Sequence, residues 1–188
     1  MKHPANREFY SYWDEKRDGA AAPERGDLDP ERVRHLLGDI FVLSCDEAAG
    51  YPFRVAGTRM CALLGRDLKG QSFTSLFHDD DRPEMQDLLA IVADETLATV
   101  AGITTLAADG TRVHLELLLL PFSARSHAPV SLTGLLAPLT PIEGLHTFGG
   151  LKDFSLTSWR YLNQERKGQR NLRKWSLIRG LTVYEGLR

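Results

Sequence analysis

Apolar and aromatic positions near the start of the chain follow a helical spacing. Phe9, Tyr12, Trp13 and Lys16 lie at i, i+3, i+4 and i+7 in a stretch without Gly or Pro over residues 5–17. This pattern predicts an amphipathic helix. A helix of this length is marginal alone, so we expect its aromatic face to pack on the rest of the domain or on a second copy of the chain.

The next patterns predict a second helix, two strands and a group of helices. Asp29 and Pro30 suit the start of a helix that ends near Gly38. A buried strand is predicted over residues 40–45, paired with an alternating strand over residues 51–56. Three short helices should follow, and then a longer helix. Their predicted positions are residues 58–64, 67–70 and 72–77, with the longer helix starting at Asp81 in a capping-box variant with Glu84.

The last part of the predicted core is formed by three strands, over residues 99–107, 112–123 and 130–139. An Asp-Gly turn at residues 109–110 joins the first two of them. The middle strand is apolar on one face and partly apolar on the other, where Leu118 and Leu120 follow Glu116. We therefore predict an α+β fold: a five-stranded antiparallel sheet with short helices inserted between strands two and three, and a helix covering part of the second sheet face.

This order of elements is the layout of PAS sensor domains, and two phrases make the resemblance narrower. Residues 53–70 resemble the second strand, first short helix and following turn of a PAS domain, and contain the phrase Arg-x-Ala-Gly-Thr-Arg at residues 54–59. The N-terminal Tyr-Trp helix and the Val-Tyr-Glu-Gly phrase at residues 183–186 are similar to short stand-alone PAS proteins. That family is common in alphaproteobacteria and was long classified as a domain of unknown function.

The resemblance covers about residues 7–140 and implies a PAS-like fold with a role in sensing or signal-dependent protein contact. It implies no agreed ligand, so no cofactor is identified. Cys61 stands in Arg-Met-Cys-Ala-Leu-Leu, unlike the Asn-Cys-Arg-Phe-Leu-Gln phrase of flavin-photosensing PAS domains. Flavin photochemistry is therefore not expected. The predicted division is an N-terminal helical extension (1–38), a PAS-like domain (39–140) and a basic C-terminal extension (141–188).

A PAS pocket would lie between the concave sheet face and the short helices, and would take a small organic ligand in a mostly apolar cavity. The alternative is that the same residues only pack together as core. The candidate lining residues are Phe53, Val55, Thr58, Cys61, Leu64, Phe73, Leu76, Phe77, Leu89, Ile103, Leu115 and Leu117.

Neither a metal site nor an enzyme is predicted. The acids of His78-Asp79-Asp80-Asp81 are adjacent on one short segment and are better explained by helix capping than by a cation site. His78 and His114 lack the sequence context of a haem ligand. No nucleophile elbow, P-loop, zinc-protease or dinucleotide motif occurs. The two cysteines form no metal or disulfide pattern.

Charge separates the end of the chain from the rest. The net charge is −2, but residues 160–188 contain eight Lys or Arg and two Glu, a formal +6, whereas residues 1–159 contain 15 basic and 23 acidic residues, a formal −8. The basic extension could contact an acidic protein, an anionic surface or phosphates, or could simply be solvated. The candidate partner-binding residues are Phe9, Tyr12, Trp13, Arg166, Arg170, Arg173 and Trp175.

The composition, 43% hydrophobic and 26% charged, is ordinary for a globular protein, and neither an export signal nor a spanning apolar run occurs. We therefore expect a cytoplasmic signalling module that binds a small ligand or a protein partner and acts through self-association or docking. A homodimer through the aromatic helix is expected. The alternative is a ligand-free adaptor that uses the basic extension. Nucleic-acid binding is the weakest possibility because the body is acidic.

Overall fold

The computed structural model confirms the N-terminal helix and places it against the sheet. Helix α1 spans Pro4–Arg17, and the His3 side chain accepts a hydrogen bond from the Ala5 amide at its start. It ends at Asp18 in the left-handed conformation. The structure describes residues 1–107, 109–123, 131–140 and 150–162 in full, and the backbone of residues 172–177 and 181–186.

The expected second helix is wrong. Residues 29–37 form turns and one 3-10 turn, Arg34–Leu36, with hydrogen bonds to the third residue back, such as Leu36 N to Val33 O. So short a segment gains little from helix formation itself. Its tighter turns bring Val33 and Leu36 onto the sheet face that α1 covers, called the outer face below, and lead directly into the first strand.

The core is a six-stranded antiparallel sheet, which confirms the α+β fold class but corrects the predicted strand count of five. The strands lie in the order β2-β1-β5-β4-β3-β6. Their bounds are Ile40–Ser44 (β1), Phe53–Ala56 (β2), Thr99–Leu106 (β3), Arg112–Pro121 (β4), Ser131–Pro138 (β5) and Lys152–Tyr161 (β6). A separate two-stranded antiparallel pair is formed by Leu172–Leu177 (β7) and Leu181–Gly186 (β8).

The helices between β2 and β3 cover one sheet face, as predicted. They are α2 (Thr58–Leu64), a 3-10 turn at Thr74–Leu76 and α3 (Arg82–Asp94). Residues 67–70 form no helix. Helix α2 ends at Gly65, whose φ of 67° a residue without a side chain adopts without strain.

The sixth strand was missed because it lies inside the segment assigned to the basic extension. Strand β6 pairs with β3 from Thr99↔Tyr161 to Leu106↔Lys152. Two side chains of the α3 region hold it: Asp81 Oδ2 accepts a hydrogen bond from Leu156 N (3.3 Å), and Glu84 Oε1 accepts one from Trp159 Nε1 (3.1 Å). Asp81 lies at the start of α3 as predicted, but its side chain makes no hydrogen bond that caps the helix.

The two faces of β4 enter two different cores. Leu115, Leu117 and Leu119 face the main core under α2 and α3, whereas Leu118 and Leu120 face a second core under α1. The predicted division of β4 into two apolar faces is therefore confirmed. The sheet separates the two cores, which fixes the positions of the candidate sites. The predicted domain boundaries stay a prediction, although β6 follows residue 140 and belongs to the same sheet.

Candidate functional site: the sheet and its two packed faces

The main core collects most of the residues predicted for a ligand pocket. Nine of the twelve are buried in one cluster between the sheet and the helices. They come from β2, α2, the 3-10 turn region, α3, β3 and β4, so the structure brings these elements together, while their role as a ligand pocket stays a prediction. The nine are Phe53, Leu64, Phe73, Leu76, Phe77, Leu89, Ile103, Leu115 and Leu117.

Phenylalanine rings fill this interior. Phe73 lies at the centre, with ring centroids 5.4 Å from Phe41, 5.6 Å from Phe53 and 5.6 Å from Phe77. Phe77 in turn packs edge-on against Phe154 of β6 at 5.7 Å. These are the offset and edge contacts that stabilise aromatic pairs. A ligand in this position would have to displace the Phe73 or Phe77 ring.

Three of the predicted pocket residues do not lie in the main core. Val55 is 56% exposed and pairs with Val42 on the outer face. A register shift in the β1–β2 pairing places it on the opposite face from Phe53, although the two are two residues apart. Thr58 is exposed at the start of α2, and Cys61 is only partly buried against the core.

A buried carboxylate holds the start of α1 on the outer face. Glu116 is 6% exposed. Its oxygens accept hydrogen bonds from the main-chain amides of Lys2 (2.6 Å) and His3 (2.9 Å) and from the Asn6 side-chain amide (3.1 Å). Burial alone would raise the pKa of Glu116, but these hydrogen bonds outweigh it and the pKa lies below its ordinary value.

Aromatic side chains hold the rest of α1. Phe9, Tyr12 and Trp13 are buried against Leu118, Leu120, Leu135 and Ala137 of the sheet. Trp13 Nε1 donates a hydrogen bond to Pro121 O at 2.9 Å, and the Tyr12 hydroxyl accepts one from Asp29 N at 2.6 Å. The interface thus satisfies the polar ends of both aromatic residues while it buries their rings.

Ion pairs on the exposed side of α1 join it to the following turns. Arg32 Nη1 lies 2.8 Å from Glu15 Oε1, and His35 Nε2 lies 2.9 Å from Glu8 Oε1. All four side chains are about half exposed, so solvent screens both contacts and each stabilises the attachment only weakly. Burial of the aromatic face, and not these pairs, supplies most of the attachment.

The partner-binding residues predicted on α1 are therefore committed to the chain's own sheet. Phe9, Tyr12 and Trp13 present no exposed stripe, which removes the observation on which the dimer prediction depended. The other four predicted partner residues, Arg166, Arg170, Arg173 and Trp175, have side chains outside the described part of the chain.

The acidic segment before α3 has structural roles. Asp79 pairs with Arg82 at 2.8 Å, and Asp81 is bound to β6 as described above. Within the described residues, no three His, Cys, Asp or Glu side chains form a group that could hold a metal ion. No described helix is both long and apolar enough to cross a membrane.

The Arg-x-Ala-Gly-Thr-Arg phrase is a packing motif. Arg59 forms two hydrogen bonds with the Asp39 carboxylate, at 2.8 and 2.7 Å. Gly57 lies directly against the main chain of Leu37 and Gly38, where a β-carbon would lie 2.3 Å from their carbonyl oxygens. The phrase therefore joins the segment before β1 to the start of α2.

A small surface depression lies on the outer face beside β6. It has a volume of about 140 Å³, and its lining residues are Val100, Ala101, Gly102, Ser158, Trp159 and Arg160. Pockets for drug-sized ligands usually exceed about 300 Å³. This depression is too small and open for such a ligand.

Comparison with known families identifies the fold. The family model PAS_5, described as a PAS domain, matches residues 1–137. The chain belongs to this PAS domain family. The match includes α1 and ends within β5, so strand β6 lies beyond it.

Some solved structures of low sequence identity are similar to part of this chain. A LOV protein of Rhodobacter sphaeroides is 14% identical, with a TM-score of 0.43 over 60% of this chain and 69% of that chain. The PAS domain of an HTR-like protein from Haloarcula marismortui is 20% identical, with a TM-score of 0.42 over 57% of this chain and 89% of that chain. No curated protein matches the sequence significantly. PAS domains are in general sensory signalling modules and not catalysts.

Proposed function

We propose that this PAS protein is a signalling module that acts through protein contacts, with the α1–sheet interface as its moving part. The observation that carries the proposal is the separation of the two cores. The residues under α1 belong to a cluster that the sheet separates from the main core. Helix α1 can therefore leave the sheet while the main core stays packed, which is what a two-state element requires.

The energetics support a stable but displaceable contact. Each buried aromatic side chain of α1 contributes about 1.5–3 kcal/mol. One buried atom opposes this: Asn6 Oδ1 has no hydrogen-bond partner among the described residues, at a cost of about 1–3 kcal/mol. A signal must bind the released state more tightly by several kcal/mol to shift the population.

Release of α1 would expose a surface suited to a protein partner. Leu118, Leu120, Leu135 and Ala137 form a contiguous apolar patch across β4 and β5 once α1 is absent. Apolar patches of this kind favour association with another protein or with a second copy. Self-association and docking thus become two readouts of the same event, and the homodimer remains a proposal at this point.

The test is a comparison of association before and after weakening of α1. Light scattering over a concentration series is measured for the wild type and for Trp13→Ala, with Leu106→Ala as the matched control, because Leu106 is 58% exposed and lies far from α1 on β3. We expect stronger self-association for Trp13→Ala only. Equal masses for all three proteins at every concentration, with exchange data showing α1 released, would contradict the proposal.

The hypothesis that the main core binds a small ligand is tested separately. Native mass spectrometry of the protein purified from cells shows whether a molecule stays bound. A thermal-shift screen shows whether one can be added. The packed rings around Phe73 lead us to expect no retained molecule and no shift, and an adduct of constant mass would restore the pocket sensor as the leading function. We also propose that the protein is non-enzymatic and cytoplasmic.

A further inference from the structure

The exposed face of α3 is acidic from one end to the other. Asp87 and Asp94 are seven residues apart, which is about two helical turns, so they lie on the same face of the helix. Asp80 stands in the turn directly before the helix, and Glu95 directly follows its last residue. All four side chains are exposed, and none of them forms an ion pair with another described residue.

The one basic residue of this segment does not neutralise these acids. Residues 79–95 contain seven acidic residues and one basic residue, Arg82, which gives a formal charge of −6. Arg82 pairs with Asp79 at 2.8 Å. It also donates hydrogen bonds to the carbonyl oxygens of Thr74 (3.3 Å) and Phe77 (3.2 Å). Its charge is therefore held at the 3-10 turn before α3 and away from the exposed acids.

The C-terminal end of α3 favours a positive charge that the helix itself lacks. The last carbonyl groups of a helix carry a partial negative charge, so basic side chains stabilise this end and acidic side chains destabilise it. The last turn of α3 contains no basic residue, and Asp94 and Glu95 place two negative charges there. A cationic group bound at this end would reduce the repulsion, so α3 favours a basic partner.

Two aromatic side chains extend the acidic face onto β6. Trp159 and Tyr161 are partly exposed, and their ring centres lie 5.2 Å apart. Trp159 is joined to α3 because its Nε1 donates the hydrogen bond to Glu84 described above. Aromatic rings attract Arg and Lys side chains to their faces. These two rings and the four exposed acids form a continuous surface, called the α3 surface below, that fits a basic segment.

A basic segment starts close to the α3 surface, and it is the end of the same chain. Residues 163–188, called the basic tail below, contain seven Lys or Arg and two Glu, a formal charge of +5. The tail follows Leu162, whose amide donates a hydrogen bond to Ala98 O at 2.8 Å. Ala98 is only four residues after Asp94, so the tail leaves the sheet within about 20 Å of the end of α3. An extended chain of about six residues spans that distance.

We propose that the basic tail docks on the α3 surface of its own chain. The formal charges of the tail and of residues 79–95, +5 and −6, are opposite and of similar size. Because the tail is tethered beside α3, its docking is intramolecular and proceeds at a high effective concentration. Exposed charge pairs that are individually weak then suffice to hold it, and salt weakens the contact. This docking is independent of the proposed function, because it uses neither α1 nor the core beneath it.

Docking of the tail has a consequence for other partners. An acidic protein that binds the tail must compete with the α3 surface, and a basic protein that binds the α3 surface must displace the tail. The contact therefore keeps both charged surfaces from binding unrelated molecules until a tighter partner arrives.

The test is paramagnetic broadening of amide signals in the full-length protein. A nitroxide is attached at Asn171→Cys in a Cys45→Ala/Cys61→Ala background, which places the only label within the basic tail. Signals of the isotope-labelled protein then report which residues the tail approaches, with the reduced label as the reference. Spectra are recorded at low salt and in 1 M NaCl, where the Debye length falls to about 3 Å.

Two double variants separate the α3 surface from a general effect of charge. Asp87→Asn with Asp94→Asn removes two acids of the α3 surface. Glu8→Gln with Glu31→Gln is the matched control, since it removes two acids from α1 and from the turns that follow it. All four side chains are exposed, so both variants keep the packing of the protein.

We expect broadening of the amides of α3 at low salt and its loss in 1 M NaCl. The Asp87/Asp94 variant should lower the ratio of docked to free tail at least about threefold, and the Glu8/Glu31 control should leave it nearly unchanged. Absence of broadening on α3, or an equal loss in both variants, overturns the proposal. Equal broadening in isotope-labelled protein without nitroxide, mixed with the spin-labelled protein, would assign the contact to a second copy and overturn docking within one chain. A failed association test of α1 leaves these results unaffected.

Discussion

Replacement of Glu116 by Gln is the sharpest test of how α1 is attached. The variant keeps the size and one acceptor oxygen of the side chain but removes its charge. In the wild type, this carboxylate accepts the amides of Lys2 and His3 and the side-chain amide of Asn6, in a site only 6% exposed. The variant directs an NH₂ group toward at least one of these donors, so it leaves a buried donor unpaired.

The expected loss follows from these contacts. Hydrogen bonds to a charged group contribute about 1.5–3 kcal/mol each. Because one oxygen remains, we expect Glu116→Gln to lower the free energy of unfolding by about 3 kcal/mol near neutral pH, measured by urea denaturation. Hydrogen exchange should rise first in the amides of α1. The control is Glu31→Gln, whose carboxylate is 80% exposed and should change stability by less than about 0.5 kcal/mol.

The pH dependence of the free energy of unfolding gives an independent check that the ionised Glu116 carboxylate stabilises the fold. The pKa of Glu116 is lower in the folded protein than its ordinary value, so its contribution is present above the unfolded pKa of about 4.3 and is lost as the pH falls through the folded pKa. The difference in stability between the wild type and Glu116→Gln should therefore stay constant near neutral pH and shrink in acid. A difference near zero at neutral pH, or one that grows in acid, refutes the argument.

Three further predictions concern the packing. Trp13→Ala should cost about 3–5 kcal/mol in urea denaturation, because the indole is fully buried and bound to Pro121; a loss below about 1 kcal/mol would show that α1 is not docked in solution. Gly57→Ala should cost about 1–3 kcal/mol in thermal denaturation, since its β-carbon meets backbone oxygens, and an unchanged midpoint would contradict that contact. Burial raises the pKa of Cys45, so in a Cys61→Ser background iodoacetamide should label it more slowly in the native than in the urea-unfolded protein; equal rates would argue against this burial.

The sequence was sufficient for features that depend on simple periodicity. The spacing of Phe9, Tyr12 and Trp13 predicted both α1 and its buried face, and Leu118 with Leu120 predicted where that face would lie. Nine of the twelve predicted pocket residues also lie together in the main core, and those on strands and α-helices occupy the inward faces of these elements, although their role as a ligand pocket stays a prediction.

The failures come from irregular backbone and from composition. The register shift between β1 and β2 places Val55 on the outer face and not on the inner face with Phe53. No pattern in the local sequence predicts such a bulge. In β6, Phe154 and Leu156 are two residues apart and both face the main core. Trp159 and Tyr161 face the same core, but a register shift inserts one extra residue between Leu156 and Trp159, so the alternation is interrupted. The positive charge that begins at Arg160 then suggested a solvated extension. Neither register shift can be read without knowledge of the partner strand.

The filled interior changes where a signal can act in this PAS protein. In β4, consecutive residues alternate between the main core and the core under α1, so Leu117 and Leu118 are covalent neighbours on opposite faces of one strand. Strand β5 alternates in the same way, so an event inside the main core can reach α1 only by moving β4 or β5. Both strands are paired on two sides, β4 by β3 and β5, and β5 by β1 and β4. Such pairing resists displacement, since a shift would break ladder hydrogen bonds on two sides. A partner that binds at α1 itself meets no such resistance, and this difference favours the outer face as the place of signal transfer.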